Sequence, residues 1–212
     1  MESVLKDMNP VLQMLTVMTL FSLLPFVFCC MTSFLRFSIV FSLLKTAMGV
    51  QVPPSIVTIG LCMILTFYTM GGVFQSMYDK GSIPYQKNGN LIATIDEGSK
   101  PLKEFMMKQT RESDLAFFVE LRRKAPPKSP EDLTIWEIAP AYILSELKVA
   151  FEIGFVVFVP FIVLDLVVAN ILLALGMFML SPTIISLPFK LLIFIAVDGW
   201  ALIVQGLVQS YN

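Results

Sequence analysis

Four ionisable residues stand in otherwise apolar sequence, and any chemistry this chain performs would start from them: Glu146, Asp165, Lys190 and Asp198. From Ala139 to Asn212 the only other charges are Lys148 and Glu152, spaced four apart so that they share one helix face. A charge in apolar surroundings is costly, so such residues turn toward a partner, a cavity or a bundle interior. Asp165 and Asp198, read as buried intramembrane acids, are the candidates for a proton-relay pair. If the chain folds back near Leu180, antiparallel pairing sets Asp165 level with about Ala196, which puts the two acids at similar depth. The same geometry fits two unrelated contacts to neighbours, each acid being a protonated structural carboxyl. Lys190 has no acid three or four residues away, and Glu146 lies too far back to reach it along a straight helix. The pairing expected is therefore an inter-subunit salt bridge between Glu146 and Lys190 of neighbouring copies.

Other chemistry is narrowed by what the sequence lacks. There is no histidine, hence neither the usual general base nor the commonest metal ligand. Cys29, Cys30 and Cys62 sit inside apolar runs, as small hydrophobes rather than disulfide partners or metal ligands. No phosphate-binding loop, dinucleotide fingerprint, zinc spacing or nucleophile elbow is present. The expectation is no enzyme, no catalytic residue, no cofactor and no metal. A net charge of −1 gives no strong attraction to nucleic acid.

Composition sets the class. The chain is 56% hydrophobic and 15% charged, with a mean hydropathy of +0.78, whereas about a quarter of a soluble domain is charged. We expect an all-α polytopic membrane protein in which two long apolar helical hairpins flank a charged, partly helical extramembrane subdomain. The divisions fall at 1–74, 75–140 and 141–212.

Met8 to Leu35 carries no charge and is long enough to cross a bilayer. Met1 to Asp7 lacks the basic region of a secretory signal, so this first run reads as a retained span. Pro25 should kink it, and the helical pattern continues past Arg36 and Lys45 until Gly49 and Pro53-Pro54 stop it. Continuous from Val11 to Met48, the helix would be about 57 Å long. That exceeds the ~30 Å hydrocarbon core, so part of it must leave the lipid or pack on protein. A second run, Ser55 to Phe74, should end at Gly71-Gly72. Gln75 to Pro140 then holds ten basic and ten acidic residues. Within it Pro101 to Arg123 reads as an amphipathic helix and Ala125 to Pro130 as a linker. Arg122-Arg123-Lys124 reads as a solvated face or a contact to anionic lipid. Arg36 and Lys45 place the short segment between the first two spans in the cytoplasm under the positive-inside rule, and the charged segment on the opposite side.

The last apolar region bends. Leu172 to Lys190 reads LLALGMFMLSPTIISLPFK, and Gly176, Pro182 and Pro188 punctuate what is otherwise helical sequence. Inside a membrane such a bend is viable only where it is buried in protein or lines a cavity. Met177 and Met179 bring soft, unbranched side chains that conform to irregular or changing contacts.

Four stretches together resemble one family: Ser22–Phe26 (SLLPF), Thr32–Ser55 (TSFLRFSIVFSLLKTAMGVQVPPS), Pro140–Phe155 (PAYILSELKVAFEIGF) and Pro160–Trp200. The family is FliP/SctR, a core component of the bacterial type III secretion export apparatus, and the likeness covers nearly all of the chain except the charged segment. It implies a ring of five copies in the bacterial inner membrane, assembled with FliQ/SctS-like, FliR/SctT-like and FlhB/SctU-like proteins and projecting toward the periplasm. Unfolded protein substrates pass through that assembly, which hydrolyses no ATP. The resemblance makes Met177, Phe178 and Met179 the pore gasket, with Phe178 interrupting what is often an unbroken methionine run. Ser181-Pro182, where flagellar members often read Pro-Pro, favours the injectisome version. The alternative from the residues alone is a proton-coupled transporter using Asp165 and Asp198; a membrane enzyme comes third, since no nucleophile–base set is visible.

Overall fold

The computed structural model describes residues 10–50, 52–88, 91–121 and 133–211, and all of the regular structure among them is α-helical. The helices are α1 (Pro10–Met31), α2 (Phe34–Met48), α3 (Ser55–Asn88), α4 (Leu91–Gln109), α5 (Glu112–Leu121), α6 (Ile135–Ala174), α7 (Pro182–Ala196) and α8 (Gly199–Gln209). Met1–Asp7, the Arg122-Arg123-Lys124 cluster and the Ala125–Pro130 linker lie outside the described residues.

Three helix boundaries differ from the sequence reading. The first apolar stretch is two helices, broken at Thr32 and Ser33, with Pro25 inside the first of them. At the break the Thr32 hydroxyl donates to the Phe28 carbonyl at 2.6 Å and accepts the Phe34 N–H at 3.3 Å. It thus completes one helix and opens the next. In contrast, α3 runs through Gly71 and Gly72 to Asn88, because a helical glycine costs only about 1 kcal/mol relative to alanine and helical sequence continues on both sides. The amphipathic stretch is also two helices, with Pro101 inside α4 and a break at Thr110 and Arg111.

Excess length therefore lies in α3, 34 residues long, and above all in α6, rather than in the first helix. At 40 residues α6 spans about 60 Å, twice the hydrocarbon thickness, and it continues through Pro140 and Pro160 without a break. By length and composition α3 and α6 can each cross a membrane. The total rises to four if α1–α2 and α7–α8, each broken, count as one span apiece.

The chain gathers into two compact units, Met1–Leu35 with Thr66–Ser145, and Arg36–Leu65 with Glu146–Asn212. The divisions drawn from composition fall inside α3 and α6. In the first unit the core is built on Met31, Met70, Leu102, Met106, Ile138 and Tyr142. Beside that core Ser33 Oγ bonds Thr69 Oγ1 at 2.9 Å, and the buried Asp114 carboxylate accepts from Ser145 Oγ at 2.8 Å.

In the second unit α2 buries Phe37, Val40, Phe41, Leu44 and Ala47, a stripe at three- and four-residue spacing. Trp200 packs on Phe41 and stands edge-on to Phe194, with ring centroids 6.1 and 5.5 Å apart. Helices α2 and α6 approach closely, since a Cβ on Gly154 would run into Leu43 Cδ1.

Candidate functional site

The bend opens with a glycine stop. Gly176, at φ +74°, takes the left-handed conformation that favours glycine. Its N–H donates to the Leu173 carbonyl at 3.1 Å, and the Met177 N–H reaches back to the Leu172 carbonyl at 2.9 Å. These two bonds close the last turn of α6 in a Schellman motif. Helix α7 restarts at Pro182, whose missing N–H costs nothing at a first helical position. Met177, Phe178, Met179 and Leu180 lie between them, all exposed, with Met179 fully so at 100%. Four large apolar side chains at one tip form a surface that a single chain leaves uncovered.

Behind the tip, α6 and α7 are tied by charge. Lys190, only 2% exposed, donates to Asp165 Oδ2 at 2.7 Å and to the Ala47 carbonyl at 3.0 Å. Ser186, one turn before Lys190, donates to the other Asp165 oxygen. Helix ends at Ala174 and Pro182 centre the hairpin near residue 178. This sets Asp165 level with Lys190 rather than with Ala196, and the shift accounts for the partner.

A second pair lies at the start of the second unit. Arg36 grips the fully buried Glu146 with two hydrogen bonds, Nε to Oε2 at 2.9 Å and Nη2 to Oε1 at 2.5 Å. Its Nη1 donates to the Ser210 carbonyl and hydroxyl at 3.1 and 2.8 Å. Tyr211 donates to Glu146 Oε2 at 2.6 Å, and its ring lies 3.8 Å beneath the guanidinium carbon. A fork of donors, an aromatic face and a third donor compensate this buried carboxylate.

Within the single chain Glu146 and Lys190 do not pair with one another, and each has a partner of its own, Arg36 and Asp165 respectively; the sequence reading expected their pairing between neighbouring copies. Asp165 is one-third exposed in the chain and bonded to Lys190, and Asp198 is exposed, so the single chain fully buries neither acid. Asp198 sits at φ +51° between α7 and α8, a left-handed position that Asp tolerates better than most residues. The sequence reading gave Arg36 only a part in membrane orientation and passed over Ser186, Ser210 and Tyr211. Ser186 had a signal, being four residues before Lys190 on the same helical face; Arg36 had only its position as a lone base in an apolar stripe.

The architecture and the tip define an all-helical membrane protein whose C-terminal hairpin presents methionine and phenylalanine at its bend. The chain belongs to the FliP family, which it matches over residues 17–207. It is 45% identical over 201 residues to the flagellar biosynthetic protein FliP of Pectobacterium carotovorum subsp. carotovorum, covering 94% of this chain and 78% of that one. To the protein of the same name from Bacillus subtilis it is 41% identical, covering 97% and 94%. The Yop proteins translocation protein R of Yersinia pestis is 40% identical, with coverage of 95% and 96%.

Proposed function

We propose that the chain is a pore-forming subunit of the type III secretion export apparatus, through which unfolded proteins cross the bacterial inner membrane. The observation that carries this reading is the uncovered tip. Met177, Phe178 and Met179 from several copies, five in the ring that the family resemblance implies, converge on a central axis and close it with deformable thioethers and an aromatic ring. FliQ/SctS-like, FliR/SctT-like and FlhB/SctU-like proteins are the partners of this reading. The injectisome version rests on Ser181-Pro182, against relatives that carry flagellar and Yop names at similar identity. The proton-coupled alternative has less support, because Asp165 is engaged by Lys190 and Asp198 is exposed at a turn.

Replacing Met177, Phe178 and Met179 together by alanine tests the gate. Cells carrying the assembled variant should leak ions and small molecules, and a variant that assembles normally yet leaks no more than wild type places the gate elsewhere. The segment 75–140 faces the periplasm in this reading. A cysteine in place of the exposed Lys108 should react with a membrane-impermeant maleimide in intact spheroplasts; labelling only after lysis reverses the orientation.

A further inference from the structure

A cavity of about 800 Å³ lies between α2 and the start of α3, within the size range of small-ligand sites. Its walls mix hydroxyl and apolar groups, with Gly49, Val50, Pro54 and Cys62 among the latter. Ser38, Ser42 and Thr46, four apart on α2, line it together with Lys45, and Ser55 and Thr58 line it from α3. No acid lines it. Arg36, the other base of this segment, is taken by Glu146. The Lys45 side chain is half-buried and its ammonium makes no hydrogen bond or ion pair among the described residues, so among them the cavity carries one uncompensated positive charge.

The hydroxyls divide by what they can still offer. Thr46 and Thr58 donate to their own helices, at the Ser42 and Pro54 carbonyls, 3.0 and 3.5 Å away. Ser42 and Ser55 therefore retain protons for an acceptor inside the cavity. Ile59 lines the cavity as well, and with the exposed Ile56 and Met63 it shares one face of α3. A cationic cavity continuous with an apolar strip suits a ligand with an anionic head and a hydrocarbon tail. Free phosphate would meet only the first half of that description.

We propose that this cavity seats the phosphate of an anionic membrane phospholipid, held by Lys45, Ser42 and Ser55, with its acyl chains along Ile56, Ile59 and Met63. Basic pockets between membrane helices take anionic head groups in this way. The proposal does not depend on the pore role.

The test is native mass spectrometry of the full-length chain equilibrated with equal phosphatidylglycerol and phosphatidylcholine. Wild type should retain phosphatidylglycerol about fivefold over phosphatidylcholine, the effect of one lysine at an anionic head group, and K45Q should fall to parity while K45R keeps the preference. Should K45Q fail to fold, S42A/S55A replaces it and should also lower the preference. Equal retention by wild type of both lipids, an unchanged preference in K45Q or in its replacement, or displacement of the lipid by excess inorganic phosphate overturns the proposal. The last of these outcomes would identify a site for the free anion.

Discussion

Lys190 on α7 and Asp165 on α6 meet at 2.7 Å across the bend, twenty-five residues apart in the chain. Lysine is the buried member and aspartate the partly exposed one, with side-chain exposures of 3% and 33%. Losing the acid therefore strands a buried ammonium, whereas losing the lysine leaves an acid that water can still reach. D165A should lower the stability of the detergent-solubilised chain by about 3 kcal/mol, the low end for breaking a buried pair. K190M should cost less, and D165L/K190M should recover most of the loss. Equal melting temperatures for D165A and wild type would show that the pair contributes nothing.

Glu146 provides a test by charge reversal. E146K places a lysine against Arg36, and K190E places a glutamate against Asp165, so each reversal sets like charges together within the chain. The double variant E146K/K190E should assemble no better than the worse single one. R36E/E146R, which restores opposite charge inside the chain, should recover part of the stability lost in E146R. Recovery of assembly in E146K/K190E would instead show that Glu146 and Lys190 exchange partners and bridge neighbouring subunits on assembly.

Asp198 separates a backbone role from a proton-carrying one. At φ +51° a β-branched residue is strained, so D198V should cost about 1–3 kcal/mol. D198N and D198G should leave stability and protein export near wild type, since both residues accept the left-handed region. Loss of export in D198N with normal stability and assembly would assign the carboxyl a chemical task and revive the proton-coupled reading.

Close approach at Gly154 predicts a size compensation. A methyl group there meets Leu43 within van der Waals distance, and overpacking of this kind costs about 1–3 kcal/mol. G154A should lower the melting temperature, and L43A should restore part of it in the double variant. If the losses simply add, the two side chains do not share that space.

Much of this architecture is legible in residue order because helices and bends have local causes. Gly49 and Gly176 announce the ends of α2 and α6, and both adopt positive φ, +69° and +74°. Pro182 marks the restart of α7. Breaks made by hydrogen bonding read less well: Thr32 ends α1 through its own hydroxyl, in a stretch where Pro25 is the louder signal. Gly71-Gly72 misleads the other way, since a glycine penalty of about 1 kcal/mol cannot stop a helix supported on both sides. Charge partners are hardest to read. Arg36 and Glu146 are 110 residues apart, and only tertiary packing brings them together. Asp165 and Lys190 are visible once the bend is centred correctly, and an error of two residues in that centre moves the expected partner by more than a turn.

The long helix α6 has a further consequence. Within its most apolar 18-residue window only 11% is buried by the rest of the chain, so lipid tails and neighbouring polypeptide compete to solvate the same face. Both solvents are equally oily, and the hydrophobic effect does not choose between them; packing shape and side-chain contacts do. Whether two copies adhere thus depends on how well bulky residues such as Phe151, Phe155 and Leu166 interlock with a neighbour compared with fluid acyl chains. A thinner or stiffer bilayer could shift that balance without any change in sequence.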